Sequence, residues 1–98
     1  MLAVNMGYFC VSPGGALALQ LPAVSKQGDV IQVALDGATS FEITQGAGQT
    51  IVIGNTSTTA GVGGSLTSTQ QGDCLRLVCR TPNLRWFCVS SMGNPIVV

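Results

Sequence analysis

Apolar residues recur at every second position along most of this chain. Leu17, Leu19 and Leu21 fall on one side of a run that Pro22 ends, and Ile31, Val33 and Leu35 repeat the pattern. Phe41 and Ile43 flank Glu42, while Ile51 and Ile53 follow the Gly46-Ala47-Gly48 turn. Leu75, Leu77 and Cys79 alternate with Arg76 and Val78, and Leu84, Trp86 and Cys88 alternate with Arg85 and Phe87. A period of two puts one set of side chains on a core face and the other on the opposite face of a strand. Helical spacing is almost absent. Turn residues separate the runs: Asp36-Gly37, where positive φ is cheap, and Thr81-Pro82-Asn83-Leu84, where Pro suits a type I turn. Short strands at this spacing imply an all-β fold, a small antiparallel β-sandwich or β-prism-like module.

The chain also states one motif twice. Gln27-Gly28-Asp29 returns as Gln71-Gly72-Asp73, 44 positions later, and each triplet opens an alternating run. With the offset slipped to 45, Phe41 falls on Trp86, Gly48 on Gly93, and Ile51-Val52-Ile53 on Ile96-Val97-Val98. The order of strand, turn, strand, Gly and short apolar strand implies an internal repeat of residues 27–53 and 71–98 about a pseudo-two-fold axis. Each copy is expected to be a hairpin plus a closing strand, with Phe41 and Trp86 buried at equivalent places. In each triplet the Gly permits the turn and the Asp accepts hydrogen bonds from nearby backbone N–H groups. Asp29 and Asp73 are therefore read as structural rather than as a catalytic pair.

At 98 residues this is one domain, residues 1–98, with a modest core. Charged residues make up 8 % of the chain, against about 25 % in ordinary soluble domains. Mean hydropathy is +0.46 and the formal net charge is zero. No stretch approaches the ~20 unbroken apolar residues of a membrane helix. Pro13, Gly14 and Gly15 break the start of the chain, so a signal peptide and membrane insertion are not expected. A neutral, apolar chain of this kind is expected to hide surface by obligate self-association. The alternative is a monomer coated with Ser, Thr, Gln and Asn. Cys10, Cys74, Cys79 and Cys88 stand without any His or Cys-x-x-Cys spacing, so no metal and no cofactor are expected. They read as small buried apolar residues, with a disulfide as the alternative.

Few residues are left to carry function. With no His, four carboxylates and no nucleophile beside an evident base, the chain does not read as an enzyme. Three of the four basic residues, Arg76, Arg80 and Arg85, lie on one expected hairpin. A turn centred on Pro82-Asn83 sets Arg80 opposite Arg85, Arg76 on the same face, and Trp86 facing Cys79 on the buried face. Like charges across strands are unfavourable, so Asp36, Glu42, a neighbouring subunit or an anionic ligand should offset them. Three arginines without aromatic stacking fall short of a nucleic-acid surface, and no nucleic-acid partner is expected. The uncharged segment 54–69, rich in Gly, Ser and Thr, lacks the Lys-Ser or Lys-Thr of a phosphate loop. It reads as a linker or structural loop, or as a surface where Asn55, Thr58 and Thr59 meet sugar hydroxyls.

The strings GYFCVSPGGALALQLPA, QGDVIQVAL, ITQGAGQTIVIGNTSTTAGVGGSLTSTQQGDCLRLVC and LRWFCVSSMGNPIVV together cover residues 4–98 in large part. Their order resembles a C-terminal β-module of phage tail fibres and of related trimeric fibre or adhesin proteins of bacteria. The most specific pieces are Gln45-x-Ala47-Gly48-Gln49, Gly54-Asn55-x-Ser57-Thr58-Thr59, Gly63-Gly64-Ser65-Leu66, and Trp86 with Gly93-Asn94. Such modules often carry Trp where Phe41 stands, a mild departure that keeps the packing role. The resemblance implies a homotrimer at a fibre tip, on a virion or a cell surface, contacting target-cell glycans. It supplies no sugar-binding motif to carry over by position. The expectation is a receptor-binding tip, with Arg76, Arg80, Arg85, Asn55, Thr58 and Thr59 as candidate ligand residues. A purely structural trimerisation cap is the alternative.

Overall fold

The computed structural model describes residues 2–11, 16–38, 40–93 and 95–98. Pro13, Gly14, Gly15 and Asn94, which entered the sequence reading, lie outside the described residues. Among the described residues the alternating runs become ten strands: β1 Met6–Cys10, β2 Ala16–Gln20, β3 Val30–Leu35, β4 Ser40–Thr44, β5 Thr50–Ile53, β6 Thr56–Ser57, β7 Ser65–Thr67, β8 Cys74–Thr81, β9 Arg85–Met92 and β10 Ile96–Val97. There is no helix among the described residues. A six-stranded sheet has the order β1-β3-β8-β9-β5-β6, and a four-stranded sheet the order β10-β7-β4-β2. Inward residues of both meet in one core: Ile31, Val33, Leu75, Leu77 and Trp86 from the first, and Phe41, Ile43 and Leu66 from the second.

Two expectations are corrected here. The sheets are mixed rather than antiparallel, because β1 pairs β3, β2 pairs β4 and β5 pairs β9 in parallel. The expected hairpin across Asp36-Gly37 is also not formed: β3 lies in the six-stranded sheet and β4 in the four-stranded one. The parallel β1–β3 and β2–β4 pairs and the absent hairpin have one cause. From β1 to β4 the chain changes sheet at each connection, so a strand returns beside the strand two before it and runs the same way. At the β3–β4 crossing the N–H groups of Asp36 and Ala38 both bond the Cys10 carbonyl, at 3.0 and 3.1 Å, which turns the chain off the sheet edge. Phe41 and Trp86 are both fully buried, but on opposite sheets.

The two Gln-Gly-Asp turns sit at opposite ends of the antiparallel β3–β8 pair and make matching contacts. Gly28 N–H donates to the Cys79 carbonyl (2.9 Å), and Cys79 N–H donates to that of Asp29 (2.8 Å). At the other end Gly72 N–H donates to Leu35 (3.0 Å), and Leu35 N–H to Asp73 (2.8 Å). Gly28 and Gly72 hold φ of 93° and 88°, a region L side chains avoid. The carboxylates close the turns. Asp29 accepts from Lys26 N–H at 2.9 Å. Asp73 accepts from Thr69 N–H at 2.7 Å, Gln70 N–H at 3.0 Å and the Thr69 hydroxyl at 3.0 Å.

Burial pushes the Asp73 carboxyl up, but the hydrogen bonds from Thr69 and Gln70 reverse this and leave it below its ordinary value. A carboxylate with a depressed folded-state pKa stabilises the fold above its unfolded pKa of about 3.9, and that stabilisation is lost as pH falls through the folded value. Asp73→Asn should therefore be less stable at pH 7 by about 1–3 kcal/mol. Urea midpoints of the wild type and of this variant should converge as pH is lowered below about 4. A constant gap from pH 7 down to pH 2 would show that the charge of Asp73 does not stabilise the fold.

Candidate ligand-binding face

The outer face of the six-stranded sheet is built from the strand positions that alternate with the core. On β8 these are Cys74, Arg76, Val78 and Arg80, since Leu75, Leu77 and Cys79 point inward. On β3 they are Val30, Gln32 and Ala34, and on β1 Gly7 and Phe9. Pairing aligns them into rows across the sheet. Gly7, Gln32, Arg76 and Ser90 form a polar row. Phe9, Ala34, Cys74 and Met92 form an apolar row beside it. The rows enclose a shallow depression of about 470 Å³. A second depression of about 380 Å³ lies among Gln27, Gly28, Val78, Arg80, Phe87 and Val89.

The three arginines are exposed on this sheet but do not converge on one point. Arg76 borders the first depression and Arg80 the second. The expected Arg80–Arg85 pairing is corrected. Trp86 does pair with Cys79, but the register then slips and Arg85 stands opposite Thr81. A bulge of this kind adds one unpaired residue and re-aims its side chain. It relieves the like-charge opposition. The Arg85 guanidinium lies over the Phe87 ring, 5.4 Å from its centroid, at cation–π range.

The Gly/Ser/Thr-rich segment is ordered structure rather than linker. Gly54 and Asn55 form the two-residue turn of the β5–β6 hairpin, with Gly54 at φ 60°. Asn55 and Thr59 are exposed, at the edge of the sheet remote from β1. Thr58 is buried and its hydroxyl is spent internally: it accepts from Ile51 N–H at 2.9 Å and donates to Gln45 Oε1. Thr58 is thus no surface ligand residue. Gln45 Nε2 lies within 3.0 Å of the carbonyls of Gln49, Thr59 and Gly61, pinning the segment to the preceding turn. Gln49 in turn donates to the carbonyls of Pro22 (2.8 Å) and Asn83 (3.2 Å). All four cysteines are free thiols, Cys10 and Cys79 buried and Cys74 and Cys88 half-buried. Burial raises the Cys10 and Cys88 thiols above their ordinary value, which keeps them protonated and poorly nucleophilic.

Sequence reasoning missed β1 as part of this face and the buried glutamines behind the loop. The alternation of Gly7 and Phe9 with Tyr8 and Cys10 was the available signal for the first. Comparison with protein families, with curated proteins and with solved structures finds no match.

The loop's dependence on Thr58 is testable. Thr58→Val keeps the shape but strands the Ile51 N–H and the Gln45 carbonyl in the core. It should cost about 1–3 kcal/mol or more by urea denaturation. An unchanged midpoint would mean that Gln45 and Ile51 find other partners and that the segment is not held by Thr58.

Proposed function

We propose that this chain is a non-enzymatic, homotrimeric fibre-tip module that recognises glycans on a target cell, on a virion tail fibre or a bacterial cell-surface fibre. One observation carries the reading. The outer face of the six-stranded sheet combines exposed aromatic rings, two depressions and three arginines, and its charged groups are all of one sign. Rigid sheets that present such residues beside ordered loops suit recognition of polar, anionic surfaces. Self-association is supported by the 8 % charge content and by Val24, Val62 and Leu84, which are exposed in the loops. Threefold assembly would bring nine of these arginines together and convert weak single sites into avidity gains of about 10² or more. The matching contacts of the two Gln-Gly-Asp turns support descent from two copies of one unit.

A structural trimerisation cap is the second reading. Phe9, Val89 and Met92 on the same sheet are exposed apolar residues that a neighbouring copy would cover. The triple variant Arg76→Gln, Arg80→Gln and Arg85→Gln separates the two. On a glycan array it should lose at least tenfold in binding while sedimentation still reports the trimer. Dissociation of the trimer on the same substitutions, or a wild-type chain that binds no glycan, would favour the cap.

A further inference from the structure

Resting on the glycan-recognition reading, we infer that the depression formed by Gly7, Phe9, Gln32, Arg76 and Ser90 takes a carboxylate-bearing pyranose, a uronic-acid type of sugar residue. Its volume of about 470 Å³ falls in the range of small-molecule sites. What singles it out is the arrangement of its lining. Register sets Gln32 directly beside Arg76, and Ser90 directly beyond, so an amide, a guanidinium and a hydroxyl stand in one row across three adjacent strands. Neighbouring strands lie about 4.8 Å apart, so this row spans about 10 Å, enough for the groups at its two ends to hydrogen-bond opposite edges of one six-membered sugar ring. The apolar row of Phe9, Ala34 and Cys74 runs parallel to it.

A pyranose has the same two-sidedness. Its hydroxyls and any carboxylate project from the edge, while its axial C–H groups make an apolar face. The Phe9 side chain is 75 % exposed, and the negative face of an aromatic ring attracts those C–H groups. The Arg76 guanidinium is planar, permanently charged and matched to a carboxylate by two parallel N–H···O bonds. Gln32 and Ser90 offer both donors and acceptors, which suits hydroxyls that both donate and accept. Among the described residues Arg76 is the one charged side chain lining the depression, so a singly charged sugar is neutralised there.

Gly7 supplies the remaining condition. It stands opposite Gln32 on the same row, and a Cβ built on it meets no atom within 4 Å. The space above the first strand is therefore open, and any side chain placed there would project into the depression. Its φ is not in the left-handed region, so substitution does not strain the backbone.

The test is titration of the full chain with an oligogalacturonate, its methyl-esterified form and a sulfated oligosaccharide of similar length, followed by calorimetry. The wild type should bind the free acid at least tenfold more tightly than the methyl ester. Gly7→Leu and Arg76→Gln should each weaken acid binding at least tenfold, with thermal midpoint and sedimentation unchanged. Arg76→Lys should recover only part of the loss, because it restores the charge without the fork. Should Gly7→Leu fail to fold, the Arg76 pair alone decides. Equal affinity for acid and ester, preference for the sulfated chain, or acid binding that survives both substitutions would overturn the assignment while leaving glycan recognition standing. Loss of the native sedimentation profile in folded Gly7→Leu would overturn it in favour of a subunit contact. A wild type that binds no glycan on a broad array would overturn the underlying reading as well.

Discussion

The β3–β8 pair is the constraint on which the rest of the molecule depends. These strands are hydrogen-bonded to each other along their length, and each carries three buried core residues: Ile31, Val33 and Leu35 on one, Leu75, Leu77 and Cys79 on the other. The Gln-Gly-Asp turns lock the register at both ends, because each turn bonds backbone groups of the opposite strand. Side chains alternate with a period of two, so a slip of one residue would move every core residue to solvent. The lock therefore specifies which side of the sheet is core. Gly93 adds to it from just beyond β9, since a Cβ there would fall on the Asp73 carboxylate.

With that register fixed, the candidate face follows. Gln32 and Arg76 become direct neighbours at the middle of the sheet, and the flanking strands bring Gly7 and Ser90 to the same row. That row thus lies on paired strands rather than on a loop. Rigid presentation would lower the ordering cost of any binding on this face. The loop network of Gln45, Gln49 and Thr58 has a different role. It satisfies the polar backbone of a long uncharged segment that a small core could not otherwise hold.

Much of the fold was legible. The alternation of Leu75, Leu77 and Cys79 placed the inner face of β8, and the Trp86–Cys79 pairing followed from the Pro82-Asn83 turn. The role of Asp29 and Asp73 followed from their place beside a turn glycine. Strand direction was not legible, because a period of two is the same in parallel and antiparallel pairs. The crossing from β3 to β4 was misread because Asp36-Gly37 allows a change of sheet as readily as a hairpin. The bulge that parts Arg80 from Arg85 leaves no mark in composition. Thr58 read as a surface ligand residue and the burial of Gln45 and Gln49 was not foreseen, since long-range backbone partners satisfy these side chains only in the folded chain. Of the candidate face, the exposure of Arg76 was legible from the alternation of β8, whereas the placing of Gly7, Phe9, Gln32 and Ser90 beside it depended on pairings that only the fold provides.

Native-state hydrogen exchange at the two turns tests this account most directly. The amides of Gly28, Cys79, Leu35 and Gly72 carry the four reciprocal bonds. If the β3–β8 lock organises the molecule, all four should exchange only through global unfolding, with one shared opening free energy equal to the stability measured by denaturant. Exchange of Gly28 and Gly72 at the rate of exposed turn amides such as Asn55, or opening of one end well below the other, would contradict it.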